Sequence, residues 1–334
     1  MTIYFPDFSE QDLDFGIPPD TVYHDDVVFQ QSNVPPFMWH RYRKLLDTLD
    51  KFGIYGQYLR IGIIDTGYSP HPWLPRPKGV INYTNSGRGR SDVTARNFHG
   101  QHVYGIIGGL QGIGLLPAAD YYIAKGLNDQ GSGSTTWLNN CIRWCAQQKC
   151  HYVNGSYGGP QGSQDDIDAI NTFYNAGGRL LHFAAGNANY NGRNNSIGYP
   201  AKHDMGSTNG SYNADGSRSS FSSGGKQLDI MGAGGRIVST MPPTASEPKK
   251  MGQASGTSMG SPDVLAKTGA YDQRRRQVGL PDIIGYEAWN EEYRKLFDRK
   301  KIKDGGAPGR DNYHGWGQFM TEAIIEGIEE PIGA

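Results

Sequence analysis

Short apolar segments alternate with helix-like segments through the first half of the chain. The apolar segments are residues 59–64, 121–124, 151–154 and 180–185, and helical spacing of apolar residues lies between them at 99–108, 136–148 and 165–176. Apolar strands that are separated by helices are typical of parallel sheets, because the crossover helices cover both faces. The sequence therefore predicts a three-layer α/β fold with a mostly parallel sheet and helices on both faces.

Length and charge narrow the possible classes of protein. The 334 residues are enough for one large domain or two small ones, and the formal net charge of −1 gives no general attraction for nucleic acid or membrane surfaces. Residues 1–35 have little apolar periodicity and predict an extended N-terminal arm, and residues 36–334 predict the folded domain. No apolar run reaches transmembrane length, and the first residues do not resemble a signal peptide, so the cytoplasm is the default expectation.

The three cysteines all fall in one short segment, at Cys141, Cys145 and Cys150. An odd number of cysteines does not make a disulfide framework, and a zinc site would need His or carboxylate partners that the neighbouring sequence lacks. We therefore expect three buried free thiols.

Residues 256–262 read Gly-Thr-Ser-Met-Gly-Ser-Pro and lead into a helix-like stretch. Proline is tolerated in a first helical turn, which predicts that Ser258 lies at or just before a helix N-terminus. Free backbone N–H groups and the positive end of the helix dipole meet there, so Ser258 could serve as a nucleophile with donors ready for an oxyanion. The alternative interpretation is a Ser/Thr helix cap flanked by flexible glycines.

Three further polar residues follow or open predicted elements. Asp65 comes directly after the first strand, His99 opens a helix, and Asn187 follows the strand at 180–185. Cleavage of an amide needs a nucleophile, a base, a group that orients the base, and donors for the oxyanion. Each residue also has a structural interpretation, since Asp65 and Asn187 suit turns and His99 suits a helix cap or a core position.

The local sequences around these four residues resemble the motifs of the subtilisin-like serine proteases (subtilases, peptidase family S8). The matching segments are residues 63–67 (Ile-Ile-Asp-Thr-Gly), 99–105 (His-Gly-Gln-His-Val-Tyr-Gly), 183–187 (Phe-Ala-Ala-Gly-Asn) and 256–262. They occur in the Asp–His–Ser order of subtilisin, and the resemblance extends over residues 39–319. It implies a subtilisin-like fold and catalytic domain, and a serine endopeptidase whose partner is a polypeptide substrate, with no nucleic acid or membrane involved.

The resemblance also implies a role for each of these residues. Ser258 would attack the peptide carbonyl, His99 would act as general base and then general acid, and Asp65 would orient His99. The side chain of Asn187 and the backbone N–H of Ser258 would bind the oxyanion. The second histidine of the motif, His102, is expected to be structural.

Glycine-rich segments supply the expected substrate site. Two of them, residues 131–133 and 156–158, resemble the backbone segments that flank an extended peptide in the family, which would add as a strand between them. Residues 156–158, together with residues 185–186, would wall the pocket for the residue before the cut. These candidate substrate-binding residues are Gly131, Ser132, Gly133, Ser156, Tyr157, Gly158, Ala185 and Gly186. The segments carry no charge, so we expect an apolar or aromatic preference; the alternative is that the glycines serve only as turns.

The chain also departs from the usual family pattern. Asp263 and Lys267 stand in a helix that is usually apolar, which predicts either a more exposed helix or a paired couple. The short segment 108–114 has no carboxylate, so no cofactor is expected, and calcium stays an alternative without its usual tight-site loop. Two other functions stay open at this point: a catalytically silent peptide-binding relative, and a peptide acyl-transferase or macrocyclase.

Overall fold

The computed structural model describes residues 38–41 and 43–328, so the predicted arm at 1–35 lies outside the described residues. A 3-10 turn, Trp39–Arg41, precedes the first helix. The helices are α1 (Arg43–Phe52), α2 (His99–Gly108), α3 (Thr135–Gln147), α4 (Gln164–Asn175), α5 (Thr257–Gln277), α6 (Tyr286–Asp298) and α7 (Thr321–Glu326). The strands are β1 (Arg60–Asp65), β2 (Gly79–Asn82), β3 (Asp120–Lys125), β4 (Tyr152–Gly155), β5 (Leu180–Ala184), β6 (Ser207–Tyr212), β7 (Ile230–Ala233), β8 (Ile237–Thr240), β9 (Met251–Ala254), β10 (Ile302–Lys303) and β11 (Gln318–Phe319).

Nine of the described strands form one sheet, in the order β10-β11-β7-β6-β5-β4-β1-β3-β2. Its neighbours pair in parallel except β10 with β11, and β8 with β9 forms a separate antiparallel ribbon. Strand β1 is buried over five of its six residues, as expected for a central parallel strand with both faces covered. The predicted three-layer α/β fold, with a mostly parallel sheet, is confirmed.

Helices cover both faces of the sheet. One apolar cluster joins α1, α2, α5 and α6 to one face, and a second joins α3 and α4 to the other. Helices α3 and α4 begin at the side-chain caps Ser134 and Ser163, and Ser163 forms a capping box with Asp166. Helix α5 is buried from Thr257 to Gln273, so it runs through the core.

The charged residues of α5 are paired inside the protein. Asp263 is fully buried, and its carboxylate lies 2.7 Å from both Arg41 and Lys267. Burial opposes ionisation of Asp263, but Lys267 and Arg41 outweigh it and lower its pKa to about 2. Of the two predicted alternatives, the paired couple is correct, and Arg41 is a third member that the sequence pattern did not indicate.

Several strands, among them β2, β6 and β9, were not indicated by the sequence pattern. Strand β6 reads Ser-Thr-Asn-Gly-Ser-Tyr, which looks like a loop, although five of its six residues are buried. Its polar groups are satisfied from neighbouring elements: Thr208 N donates to Asp229, and Asn209 donates to Ser261. A buried polar strand is stable only when such partners exist, and partners distant in the sequence leave no local signal.

The cysteines are free and buried, as expected. Burial raises the pKa of Cys141 well above its ordinary value, and a hydrogen bond with Cys150 together with burial raises the pKa of Cys145. Among the described residues, no helix combines the length and apolar composition that crossing a bilayer requires.

Candidate active site

Asp65 and His99 form a buried pair. Asp65 is the last residue of β1, His99 is the first residue of α2, and their Oδ1 and Nδ1 atoms lie 2.7 Å apart. Each side chain is about 1 % exposed, so solvent screens the interaction little. Asp65 Oδ1 also accepts the backbone N–H of Thr66 at 2.7 Å. A carboxylate held in this way can fix the ring orientation and tautomer of a histidine.

A close backbone approach brings α2 to the end of β1. A Cβ at Gly100 would lie 2.6 Å from the carbonyl oxygen of Gly67, so the helix can reach this turn only with a glycine there. Thr66 Oγ1 accepts the backbone N–H of Gly100 at 2.9 Å. The glycine after the histidine is therefore part of what holds His99 against Asp65.

Ser258 is the second residue of α5, at the predicted helix N-terminus, and is 8 % exposed. Its Oγ donates to the carbonyl oxygen of Ser156 at 3.4 Å, near the long limit for a hydrogen bond. The N–H groups of a first helical turn have no acceptor within the helix. The hydroxyl of Ser258 is thus loosely held beside backbone donors.

Pro262 does not stand where the sequence argument placed it. It is the sixth residue of α5, in the second turn, rather than in the first. There it lacks the N–H that would bond the carbonyl of Ser258. Ser156 Oγ donates to that carbonyl at 2.8 Å instead, and Ser156 Oγ itself accepts from Asn154. A proline inside the helix is tolerated here because a neighbouring side chain replaces the missing donor.

Asn187 follows β5 and faces the first turn of α5. Its Oδ1 accepts both the backbone N–H of Thr257, at 2.9 Å, and the hydroxyl of Thr257, at 3.0 Å. These bonds turn its Nδ2 away from Thr257, and an ideal Cβ at Gly256 would lie 3.4 Å from Nδ2 and 3.6 Å from the backbone N of Ser258. The amide is therefore a preorganised donor near the nucleophile candidate.

The sheet brings these residues together at the carboxyl ends of its central strands. Strands β5, β4 and β1 are neighbours, and their carboxyl ends lead into Asn187, Ser156 and Asp65. Helix α5, which carries Ser258, contacts the same edge through Ser156 and Asn187. The chain segments that hold the four predicted catalytic residues therefore meet at the carboxyl ends of adjacent parallel strands, where sites in open α/β sheets lie.

The predicted substrate segments lie around this edge. Gly131 has a φ of +75°, and its segment turns through a bond from Asn128 N to Ser132 O. The ring of Tyr157 is 3 % exposed and packs in the core near Phe183, so only its backbone is left to face a peptide. The candidate residues on the β4 and β5 sides, Ser156, Gly158, Ala185 and Gly186, directly follow those strands.

The contacts of His102 are with the backbone of neighbouring elements, as expected for a structural residue. Its Nε2 lies 3.0 Å from the carbonyl of Ile237 and 3.2 Å from that of Gly252, which ties α2 to the β8–β9 ribbon. Burial, with a smaller effect of nearby His99, lowers the pKa of His102 to about 3, so the ring is neutral. Over the described ranges, no group of three or more His, Cys, Asp or Glu side chains is arranged to hold a metal ion.

Two contacts beside the candidate catalytic residues were not predicted from the sequence. The hydroxyl of Thr257 orients Asn187, and the hydroxyl of Ser156 supports the carbonyl of Ser258. Thr257 lies inside the nucleophile motif, so its presence beside Ser258 was a usable signal. The role of the Ser156 hydroxyl depends on Pro262, a residue 106 positions away, and only the folded chain shows it.

The chain is similar to known proteins in sequence and in fold. The sequence pattern of the Subtilase family (Peptidase S8) matches residues 56–317. Subtilisin DY from Bacillus licheniformis is 34% identical over 222 residues, which cover 65% of this chain and 78% of that protein. Subtilisin E from Bacillus subtilis (strain 168) is also 34% identical, over 64% of this chain and 55% of its own length.

A solved structure shares the fold. The crystal structure of a cold adapted subtilisin-like serine proteinase superposes with a TM-score of 0.64 at 25% identity, over 78% of this chain and 89% of that one. The family pattern alone spans well over half of the chain. The chain therefore belongs to the subtilase family of serine endopeptidases.

Proposed function

We propose that Asp65, His99 and Ser258 form the catalytic triad of this endopeptidase. The observation that carries the proposal is the buried 2.7 Å contact between Asp65 and His99 at the sheet edge that also receives the first turn of α5. His99 takes the proton of the Ser258 hydroxyl as Oγ attacks the carbonyl carbon of the peptide. The protonated imidazole then gives that proton to the leaving amine, and water hydrolyses the acyl-enzyme by the same steps in reverse.

The oxyanion is proposed to bind two donors, the Nδ2 of Asn187 and the backbone N–H of Ser258. Support comes from the two hydrogen bonds that Asn187 Oδ1 accepts from Thr257. They orient the amide so that Nδ2 points away from Thr257. Donors that are fixed before the charge develops need no reorganisation during the reaction. The proposed reaction uses protein groups alone and assigns no cofactor.

An active-site probe tests the assignment. A fluorophosphonate should form a covalent adduct on Ser258 of the wild-type chain, and Ser258→Ala should form none and should lose nearly all peptide cleavage. Because triad residues act as a unit, as in subtilisin, adding His99→Ala to Ser258→Ala should lower the residual rate little further. An unlabelled wild-type chain would favour a peptide-binding relative without turnover, and a large additional loss would contradict a shared role.

The substrate is proposed to be a polypeptide that binds in extended form between Gly131–Gly133 and Ser156–Gly158. Its backbone would pair with both segments as an added strand. Ala185 and Gly186 would wall the pocket for the residue before the cut, which supports an apolar or aromatic preference. A peptide series that varies only this residue checks the preference by kcat/KM. Faster cleavage after a charged residue than after Phe or Leu would contradict it.

A further inference from the structure

A large groove lies along the edge of the sheet at β2. It has a volume of about 1080 Å³ and runs between the segment 68–80 and the segment 243–248. We call it the proline-rich groove. Its lining residues are Tyr68, Pro70, His71, Pro72, Leu74, Arg76, Pro77, Lys78, Gly79, Val80, Pro243, Thr244 and Pro248, and none of them belongs to the proposed catalytic machinery.

The groove combines apolar walls with a basic rim. Five prolines, with tyrosine, leucine and valine, form most of the lining, and Arg76 and Lys78 are exposed at its side. Lys249 lies next to the groove, with its Nζ 5.8 Å from the ring centre of Trp73. Two carboxylates are near this rim: Asp120 lies 3.7 Å from Lys78, and Glu247 lies 3.1 Å from Lys250. Burial lowers the pKa of His71 to about 4, so its ring adds no charge at neutral pH.

The described chain begins beside this groove. Met38 belongs to a small buried cluster with Trp73, Ile113, Val238 and Met251. Trp73 stands between the groove residues Pro72 and Leu74, and Met251 directly follows the loop that forms the opposite wall. The first described residue, Met38, therefore lies next to the groove.

The composition of this N-terminal segment (residues 1–37) is complementary to the groove. It contains seven acidic residues and no Lys or Arg, whereas residues 38–334 hold 32 basic residues against 26 acidic ones. It also contains five Phe and two Tyr, which suit apolar walls. An extended residue spans about 3.3–3.6 Å, so ten residues reach roughly 30 Å, and the tether keeps the local concentration of the segment high.

We propose that the N-terminal segment of the same chain binds in the proline-rich groove. Its aromatic side chains would contact the proline walls, and its carboxylates would lie beside Arg76, Lys78 and Lys249. The proposal gives this family member an intramolecular binding surface outside the peptidase site. It is independent of the catalytic assignment, because neither the groove nor the segment contains a proposed catalytic residue.

A photo-cross-linking experiment on the full chain tests it. The chain carries Ser258→Ala, so that no cleavage interferes, and p-benzoyl-L-phenylalanine in place of the exposed Pro70. Illumination should link position 70 to a peptide within residues 1–37, as identified by mass spectrometry. The same probe in place of Ile284, which is 55% exposed and lies beside the start of β5, should capture no such peptide.

Charge variants test whether the basic rim contributes to binding, and isotope mixing tests whether the cross-link forms within one chain. Arg76→Glu with Lys78→Glu should lower the cross-link yield about tenfold, which corresponds to about 1.4 kcal/mol. Arg193→Glu with Arg299→Glu makes the same change of charge at exposed sites elsewhere and should leave the yield unchanged. Mixing ¹⁵N-labelled and unlabelled chains should give no mixed pairs.

Three results would overturn the proposal. They are a position-70 yield no higher than that at position 284, mixed-isotope pairs that show a second copy in the groove, and a yield that the Arg76 and Lys78 changes do not alter. Circular dichroism checks that each variant is folded, and the comparison of positions 70 and 284 still tests the proposal if a charge variant fails to fold.

Discussion

At the scale of single residues, small polar groups hold the candidate catalytic residues in place. Thr257 uses both its backbone N–H and its hydroxyl on Asn187, and Ser156 supplies the donor that Pro262 lacks. Gly260 stands where the family usually has alanine, and a Cβ there would lie 2.3 Å from the carbonyl oxygen of Gly210. Helix α5 therefore packs against β6 more closely than an alanine would allow.

The hydroxyl of Thr257 provides a test of how Asn187, the proposed oxyanion donor, is oriented. Thr257→Val keeps the shape and the backbone bond to Asn187 but removes the 3.0 Å bond from the hydroxyl. In subtilisin, losing an oxyanion donor outright costs about 10²–10³-fold in kcat, so a misoriented donor should cost less, about tenfold. We expect kcat to fall with KM nearly unchanged, as measured by steady-state kinetics on a peptide anilide.

Thr257→Ser is the matched control, because it retains the hydroxyl and should keep most of the activity. A Ser variant as slow as the Val variant would mean that packing of the methyl group, rather than the hydrogen bond, matters at this position.

At the scale of elements, one buried guanidinium joins four parts of the domain. Arg41 bonds Asp263 of α5 at 2.7 Å, the carbonyl of Ile106 in α2 at 2.8 Å, and the carbonyl of Ile113 at 3.1 Å. It also donates to the carbonyl of His40 in its own turn. Helix α5 is therefore anchored to the start of the described domain five residues after Ser258.

Removing Arg41 should be costly. Arg41→Met leaves Asp263 buried with Lys267 as its remaining cation, and breaking a buried ion network typically costs about 3–5 kcal/mol. The free energy of unfolding from urea titration, measured in a Ser258→Ala chain to prevent self-cleavage, checks this expectation.

Arg276→Met is the control, because Arg276 is 41% exposed and lies 3.7 Å from Asp282. Surface pairs of this kind contribute about 0–1 kcal/mol. Equal losses in the two variants would show that the buried network has no special role in stability.

At the scale of the whole molecule, Asp229 links the sheet to the C-terminal part of the chain. It is fully buried, accepts the N–H of Thr208 at 2.9 Å, and lies 2.9 Å from Arg310 and 3.2 Å from the hydroxyl of Tyr286. Burial raises its pKa from 3.8 to about 7, and the opposing effects of Arg310 and the hydrogen bonds do not cancel the increase.

The pKa of Asp229 predicts a pH dependence of stability. A folded pKa above the unfolded one means that the folded state binds the proton more tightly, so this stabilisation is complete below pH 4 and is lost as the pH rises to about 7. Relative to Asp229→Asn, the native chain should lose about 1.4 kcal/mol per pH unit over this range. Urea unfolding of both chains between pH 4 and 8 measures the difference.

Asp298→Asn changes an exposed carboxylate and should show no such slope. A difference between the native chain and Asp229→Asn that stays constant over this range would show that Asp229 is ionised in the folded state throughout.

The sequence alone was sufficient for the features that depend on local pattern. Apolar runs separated by helical periodicity predicted the parallel sheet, and short motifs predicted that the segments carrying Asp65, His99, Asn187 and Ser258 would meet. Both kinds of signal lie within a few neighbouring residues. The proposed roles of these residues remain predictions until the labelling and kinetic experiments are done.

Tertiary structure decided the features in which a polar group is satisfied from far along the chain. The burial of polar strand β6, the pairing of Asp263 with Arg41, and the tolerance of Pro262 through Ser156 each depend on partners that folding brings together. A buried charge or an unbonded carbonyl is costly alone and acceptable when paired. Because the partner can lie anywhere in the sequence, local pattern cannot show which of the two applies.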